Sequence, residues 1–245
     1  VYGILRFLSL LAIAIGVVTL ITATRSNRTL SDEVLKLEAE LGRMSIDDVD
    51  KVYVVAIEDP AIPPEVAVNI DKVWQFRCYL PAGYDVSRFN AGGRVTDRGI
   101  FFQGGYSSGS SSGRTEPSQQ LLTISLRQKE KNIECFTSFG GSSSTTTWNR
   151  LSAENSDWSD WVIKPLVAPG KPAQSFDQST ILTLLKIYDP NTGEEKQVDG
   201  ESITTYQGGM FLLFPRSLQT ELTMLRKGEL PEDFNISHIA EGERQ

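Results

Sequence analysis

Two overlapping segments place a serine between glycines at the spacing of a hydrolase nucleophile: Gly105-Tyr-Ser107-Ser-Gly109 and Gly109-Ser-Ser111-Ser-Gly113. A nucleophile elbow needs a strand before the serine, a helix after it and a histidine within reach. Here Arg114-Thr-Glu-Pro117 follows, which opens no long apolar helix, and the sole histidine, His238, sits in a polar tail. The pattern is what a Ser/Gly-rich tract produces by composition, so a hydrolase is kept only as a cryptic second alternative.

A second cluster is Asn155-Ser-Asp157-Trp158-Ser-Asp160-Trp161. Trp158 and Trp161 with Asp157 and Asp160 have the chemistry of a ligand-binding patch: aromatic faces for sugar rings and carboxylates for sugar hydroxyls or a shallow calcium site. The competing reading is a polar turn whose tryptophans close one end of a core. Paired carboxylates for glycoside cleavage have no sequence spacing to recognise. The acids Asp47, Asp48, Asp50, Glu194 and Glu195 lie in turns or the helical stalk, where solvation suits them. Asn27-Arg-Thr29 and Asn235-Ile-Ser237 match glycosylation sequons.

The two cysteines, Cys78 and Cys135, form no C-x-x-C and no Cys/His metal spacing, so neither metal nor cofactor is expected. Each falls on the apolar side of an alternating segment. They are read as buried thiols, with a Cys78–Cys135 disulfide left open. The net charge of −7 and the lack of a basic stripe argue against a nucleic-acid partner.

The elements that must position these residues begin with Phe7–Thr24, eighteen residues without a charge. As a helix this run spans about 27 Å, close to a bilayer's hydrocarbon core. A transmembrane anchor over residues 1–24 is therefore expected, a cleaved signal peptide being the competitor. Beyond it Leu30, Val34, Leu37, Leu41 and Met44 recur at spacings of four and three. That seam predicts a coiled-coil-like juxtamembrane helix over 25–46, for self-association or for packing on the following domain. Arg25, Arg28 and Lys36 after the run favour a cytoplasmic domain, whereas a short N-terminal tail favours an extracytoplasmic one; the latter is expected.

From Lys51 the signal becomes β. Val52–Ile57 is a short apolar run, and Val73–Leu80 alternates, with Trp74, Phe76, Cys78 and Leu80 on one face. Further strands are expected at Gly99–Gln103, Leu121–Arg127, Ile133–Phe139, Trp161–Val167, Ile181–Tyr188 and Met210–Phe214, and one helix at Ser217–Arg226. Gly104–Gly113 and Gly140–Thr147 read as flexible loop tips, or as polar recognition loops. The expected fold is mainly β, an antiparallel sandwich or jelly roll over 47–230 with a polar tail over 231–245.

Leu37–Asp48, Val52–Ile57 and the WxFRxYLP-type strand Trp74–Gly83 together resemble a group of uncharacterised bacterial single-pass membrane-anchored proteins. That resemblance implies an anchor, a juxtamembrane helix and a β-domain, and no activity. The expectation is a non-enzymatic, membrane-tethered interaction or structural module in the cell envelope. Its partners would be the lipid bilayer, a second copy through the stalk, and a protein or glycan; an extracytoplasmic carbohydrate-binding domain is the alternative.

Overall fold

The computed structural model describes Gly16, Val17, Thr19, Leu20, Thr22, Thr24 and Arg25, and residues 44–242 apart from 130–131, 149–159, 199–200 and 232–233. Thirteen strands are described. The first sheet has the order β7-β6-β5-β2-β1-β9. Its strands are β1 (Val52–Ala56), β2 (Lys72–Leu80), β5 (Ser118–Lys129), β6 (Asn132–Phe139), β7 (Ser142–Trp148) and β9 (Gln174–Phe176). Every pairing in it is antiparallel.

The second sheet has the order β13-β10-β12-β3-β4, with β8 on β10 and β11 on β12. Its strands are β3 (Val86–Thr96), β4 (Phe102–Ser111), β8 (Val162–Pro165), β10 (Ile181–Tyr188), β11 (Glu194–Val198), β12 (Glu201–Pro215) and β13 (Ile239–Glu241). Two helices are short: α1 (Pro64–Ala67), and α2 (Gln219–Leu225), which continues a 3-10 turn at Arg216–Leu218.

The facing sides of the two sheets share one core, in which Val54, Phe76, Cys78, Ile124, Leu126 and Cys135 of the first meet Leu182, Leu184, Leu185, Phe211 and Leu213 of the second. A second core lies on the far side of the second sheet, where Phe89, Ala91, Met210, Leu212 and Phe214 pack under Leu222 and Leu225 of α2. This explains β10, whose eight residues are all buried. A strand covered on both faces loses the apolar/polar alternation and reads as a continuous apolar run. A register shift between Thr183 and Leu185 turns the adjacent Leu184 and Leu185 into the same core.

These features correct the expected sandwich or jelly roll. The sheet order is that of hairpins and meanders rather than a jelly roll, β13 runs parallel to β10, and a helix-covered second core adds a third layer. What holds, among the described residues, is a mainly β chain with short helices.

The membrane reading is also corrected. Among the described residues no helix is long and apolar enough to cross a membrane. The single-pass anchor, the bilayer as partner, the membrane location and the leaning of the domain to one side are therefore withdrawn. Most of Phe7–Thr24, and Leu30, Val34, Leu37 and Leu41, lie outside the described residues. Met44, the one described member of the seam, has non-helical backbone, so the coiled-coil stalk and the homo-oligomer built on it are withdrawn as well.

Candidate functional site

The two Gly/Ser/Thr tracts expected as loop tips are strands, and they lie against each other. Gly104–Ser111 makes up most of β4 and Ser142–Trp148 is β7. Only Gly140-Gly141 is a turn: φ is +60° and +81°, as a two-residue hairpin between Phe139 and Ser142 requires. β4 and β7 are end strands of different sheets, and the Thr146 hydroxyl donates to the Ser107 hydroxyl across the gap, 3.3 Å.

Alternation decides what faces that gap. On β7, Ser142, Ser144, Thr146 and Trp148 lie opposite Phe139, Thr137, Cys135 and Ile133 of β6. On β4, Gly105, Ser107, Gly109 and Ser111 lie opposite Gly92, Asn90, Arg88 and Val86 of β3. Directly opposed residues share a face. Most of the interior between the sheets is therefore apolar, but the corner where β6 and β7 meet β3 and β4 is lined by hydroxyls, one amide and one guanidinium.

Small residues let the sheets approach here. Trp148 is 1% exposed and its indole lies across Gly92 and Gly209, which are paired on β3 and β12; a Cβ on Gly209 would stand 2.7 Å from both Cζ2 and Cζ3. The indole thus pins the Trp148 end of β7 to the second sheet.

The corner contains a cleft of about 90 Å³ lined by Arg88, Arg114, Gln120 and the Ser110–Ser112 backbone and hydroxyls, with Ser142 and Gly140 opposite. Arg88 is half-buried and donates from Nη1 to the Phe139 carbonyl, 3.1 Å; among the described residues it has no carboxylate partner. Arg94, six residues along the same strand, shows what a structural arginine looks like here. It donates to Thr205 Oγ1, the Thr205 carbonyl and the Thr192 carbonyl, and pairs with Glu194 at 3.1 Å. Arg114 is exposed at the mouth. The Asp85 carboxylate accepts from the Gly113 N–H at 2.6 Å, one residue before Arg114.

Deeper along β3 a second chamber of about 80 Å³ shares Arg88 as a wall and is bounded by Asn90, Leu122, Thr137, Ser144, Phe211 and Leu213. The Thr137 and Ser144 hydroxyls share one hydrogen bond at 2.9 Å. Asn90 is 5% exposed; its Nδ2 donates to Cys135 Sγ at 3.4 Å and its Oδ1 has no partner.

The sequence-derived candidates fall elsewhere. Trp161 is 8% exposed and belongs to the shared core, so it offers no face to a sugar; Asp160 beside it is exposed, and Asp157 and Trp158 lie outside the described residues. The carbohydrate-binding reading therefore loses Trp161 as a contact. The G-x-S-x-G serines sit inside β4 with no helix following, while His238 immediately precedes β13 at the opposite edge of the sheet. Four strand spacings, roughly 19 Å, separate those edges, so the histidine activates neither serine.

Cys78 and Cys135 are free and buried in the shared core. Their register partners on β5, Gln120 and Leu126, are six residues apart, roughly 20 Å along the strand, far beyond the Cα separation of a disulfide. Burial pushes both thiols up to about 12, with the Asn90 hydrogen bond pulling Cys135 back slightly, so neither is a thiolate at neutral pH. Among the described residues no group of three or more metal-binding side chains comes together.

Arg88, Asn90, Arg114 and Gln120 escaped the sequence reading. The tract beside them carries no alternation to read, since every residue of Gly105–Ser111 except Tyr106 is glycine or serine. Compared with models of known families, with curated proteins and with solved structures, the chain finds no match, and nothing supports the resemblance to membrane-anchored proteins.

Proposed function

We propose that this chain is a non-catalytic binding module for a small organic anion, held at the polar corner by Arg88 and Arg114. The observation that carries the reading is Arg88: a half-buried guanidinium with five donors whose partner is one backbone carbonyl, in a cleft lined by no carboxylate. Such a group is charged at all physiological pH and prefers a planar oxyanion that takes two parallel hydrogen bonds. Arg114 at the mouth adds attraction that salt screens. Non-catalytic character rests on the same geometry, since the cleft serines have no base beside them and the thiols are held neutral.

The test is calorimetric titration of the full chain at low ionic strength with acetate and with inorganic phosphate. A charge-assisted hydrogen bond contributes about 1.5–3 kcal/mol, so Arg88→Met should weaken binding by roughly ten- to a hundredfold. Arg114→Gln should weaken it less, and only at low salt. Binding that Arg88→Met leaves unchanged, or no binding of either anion, refutes the proposal.

A further inference from the structure

The inner chamber narrows the class of anion, and we infer that the ligand is a short-chain hydroxy acid, its carboxylate on Arg88 and Arg114 and its hydroxyl donating to Asn90 Oδ1. This rests on the anion reading above and goes further, because the acceptor lies in a different chamber from the charge. A buried amide oxygen without a partner is uncommon in folded proteins, since the water it lost must be replaced by some donor. Asn90 is fixed in place by its other end, which donates to Cys135 Sγ. Of the hydroxyls lining the chamber, Thr137 and Ser144 share one hydrogen bond and Ser107 accepts from Thr146, and none of them reaches Asn90 Oδ1. A bound molecule would supply the missing donor.

That donor is neutral. The chamber contains no carboxylate, and its other walls include Leu122, Phe211 and Leu213. An ammonium group there would lose its hydration and gain no counter-charge, whereas a hydroxyl supplies one proton to Oδ1 and leaves an apolar chain for the leucines. Size agrees. Each chamber, of about 90 and about 80 Å³, has room for a small group of several heavy atoms. The outer one accommodates a carboxylate and the inner one a hydroxylated stub of two or three carbons, with the Arg88 side chain lining both.

The experiment compares butanoate with 2-, 3- and 4-hydroxybutanoate by calorimetry on the full chain, with inorganic phosphate as the control. At least one hydroxybutanoate should bind about tenfold more tightly than butanoate. Asn90→Leu, close in size, should abolish that difference while phosphate binding stays as in the parent protein. Equal binding of butanoate and all three hydroxybutanoates, with phosphate still bound, overturns the hydroxy-acid inference and leaves the anion site standing. A preference that survives Asn90→Leu in a folded variant overturns it too. Loss of phosphate and butanoate binding alike would instead remove the anion site itself. The comparison on the unaltered chain decides the matter even if Asn90→Leu does not fold.

Discussion

Gly209→Ala adds one methyl group and is expected to be among the most damaging single changes in this protein. Its new Cβ would stand 2.7 Å from Cζ2 and Cζ3 of Trp148 and overlap Cη2. Carbon atoms rest at about 3.5–4.0 Å, so the ring would have to move by about 1 Å. It cannot slide away along the sheet, because Gly92, paired with Gly209 on the neighbouring strand, lies under the other end of the same indole. Overpacking a core costs about 1–3 kcal/mol, and complete loss of a buried tryptophan about 3–5 kcal/mol. The expected destabilisation is therefore about 3 kcal/mol. With a urea slope of about 2 kcal/mol per molar, the unfolding midpoint followed by circular dichroism should fall by about 1.5 M. The control is the same substitution in a Trp148→Val background. With the ring gone, alanine should be neutral or stabilising by about 0.5–1 kcal/mol, because alanine is favoured over glycine inside a strand. A Gly209→Ala cost of the same size in both backgrounds would show that the indole is not what the glycines accommodate.

Lys186 offers a pH-dependent test. It is 1% exposed, donates to the Gly99 carbonyl at 2.8 Å and pairs with Glu241 at 3.0 Å. Burial lowers its pKa from the ordinary 10.5, with Glu241 opposing the shift. Between the lowered folded value and 10.5 the unfolded chain holds a proton that the folded chain has released, so stability rises with pH across that window and the burial penalty is present in full below it. Melting temperatures taken between pH 7 and 10 should climb for the parent relative to Lys186→Met, and parallel curves would refute the assignment. For the thiols, iodoacetamide at pH 8 should modify neither Cys78 nor Cys135 until urea is added, after which both react; an intact mass lower by two hydrogens would reveal a disulfide the geometry forbids.

The sequence announces the strands that have one buried face or two. β1, β2, β5, β6 and β10 lie where alternation or a continuous apolar run places them, because side-chain burial and strand period coincide there. β3 is hard to read because only Phe89, Ala91 and Val95 mark its apolar face, and Gly92-Gly93 interrupts their alternation with Arg88, Asn90 and Arg94. β4 and β7 were taken for loops because serine and glycine carry little strand propensity; partners far along the chain impose their conformation. The same substitution of polar for apolar residues that hides these strands creates the candidate site. Its key residues come from β3, β5, β6 and the β4 end, and no sequence spacing brings Arg88 to Phe139. The N-terminal apolar run gives a length argument for an anchor, whereas among the described residues no helix is long and apolar enough to cross a membrane.

The long strand β12 has a consequence for the order of folding. Its Thr205–Pro215 part joins β3, and the partnered residues are separated by more than a hundred positions, from Val86 with Pro215 to Thr96 with Thr205. The β3–β4 and β5–β6–β7 hairpins are local and can form within microseconds of release. They must then wait, during synthesis, until β12 has left the ribosome. Until that moment the edge of β3 that receives β12 is an open template, bordered by Phe89 and Ala91 on one face. Contacts between such distant segments are closed late because chain entropy is lost before any are rewarded. A nascent chain stalled before Glu201 would therefore present an unpaired, partly apolar strand, the point at which this protein is most exposed to chaperones and to self-association.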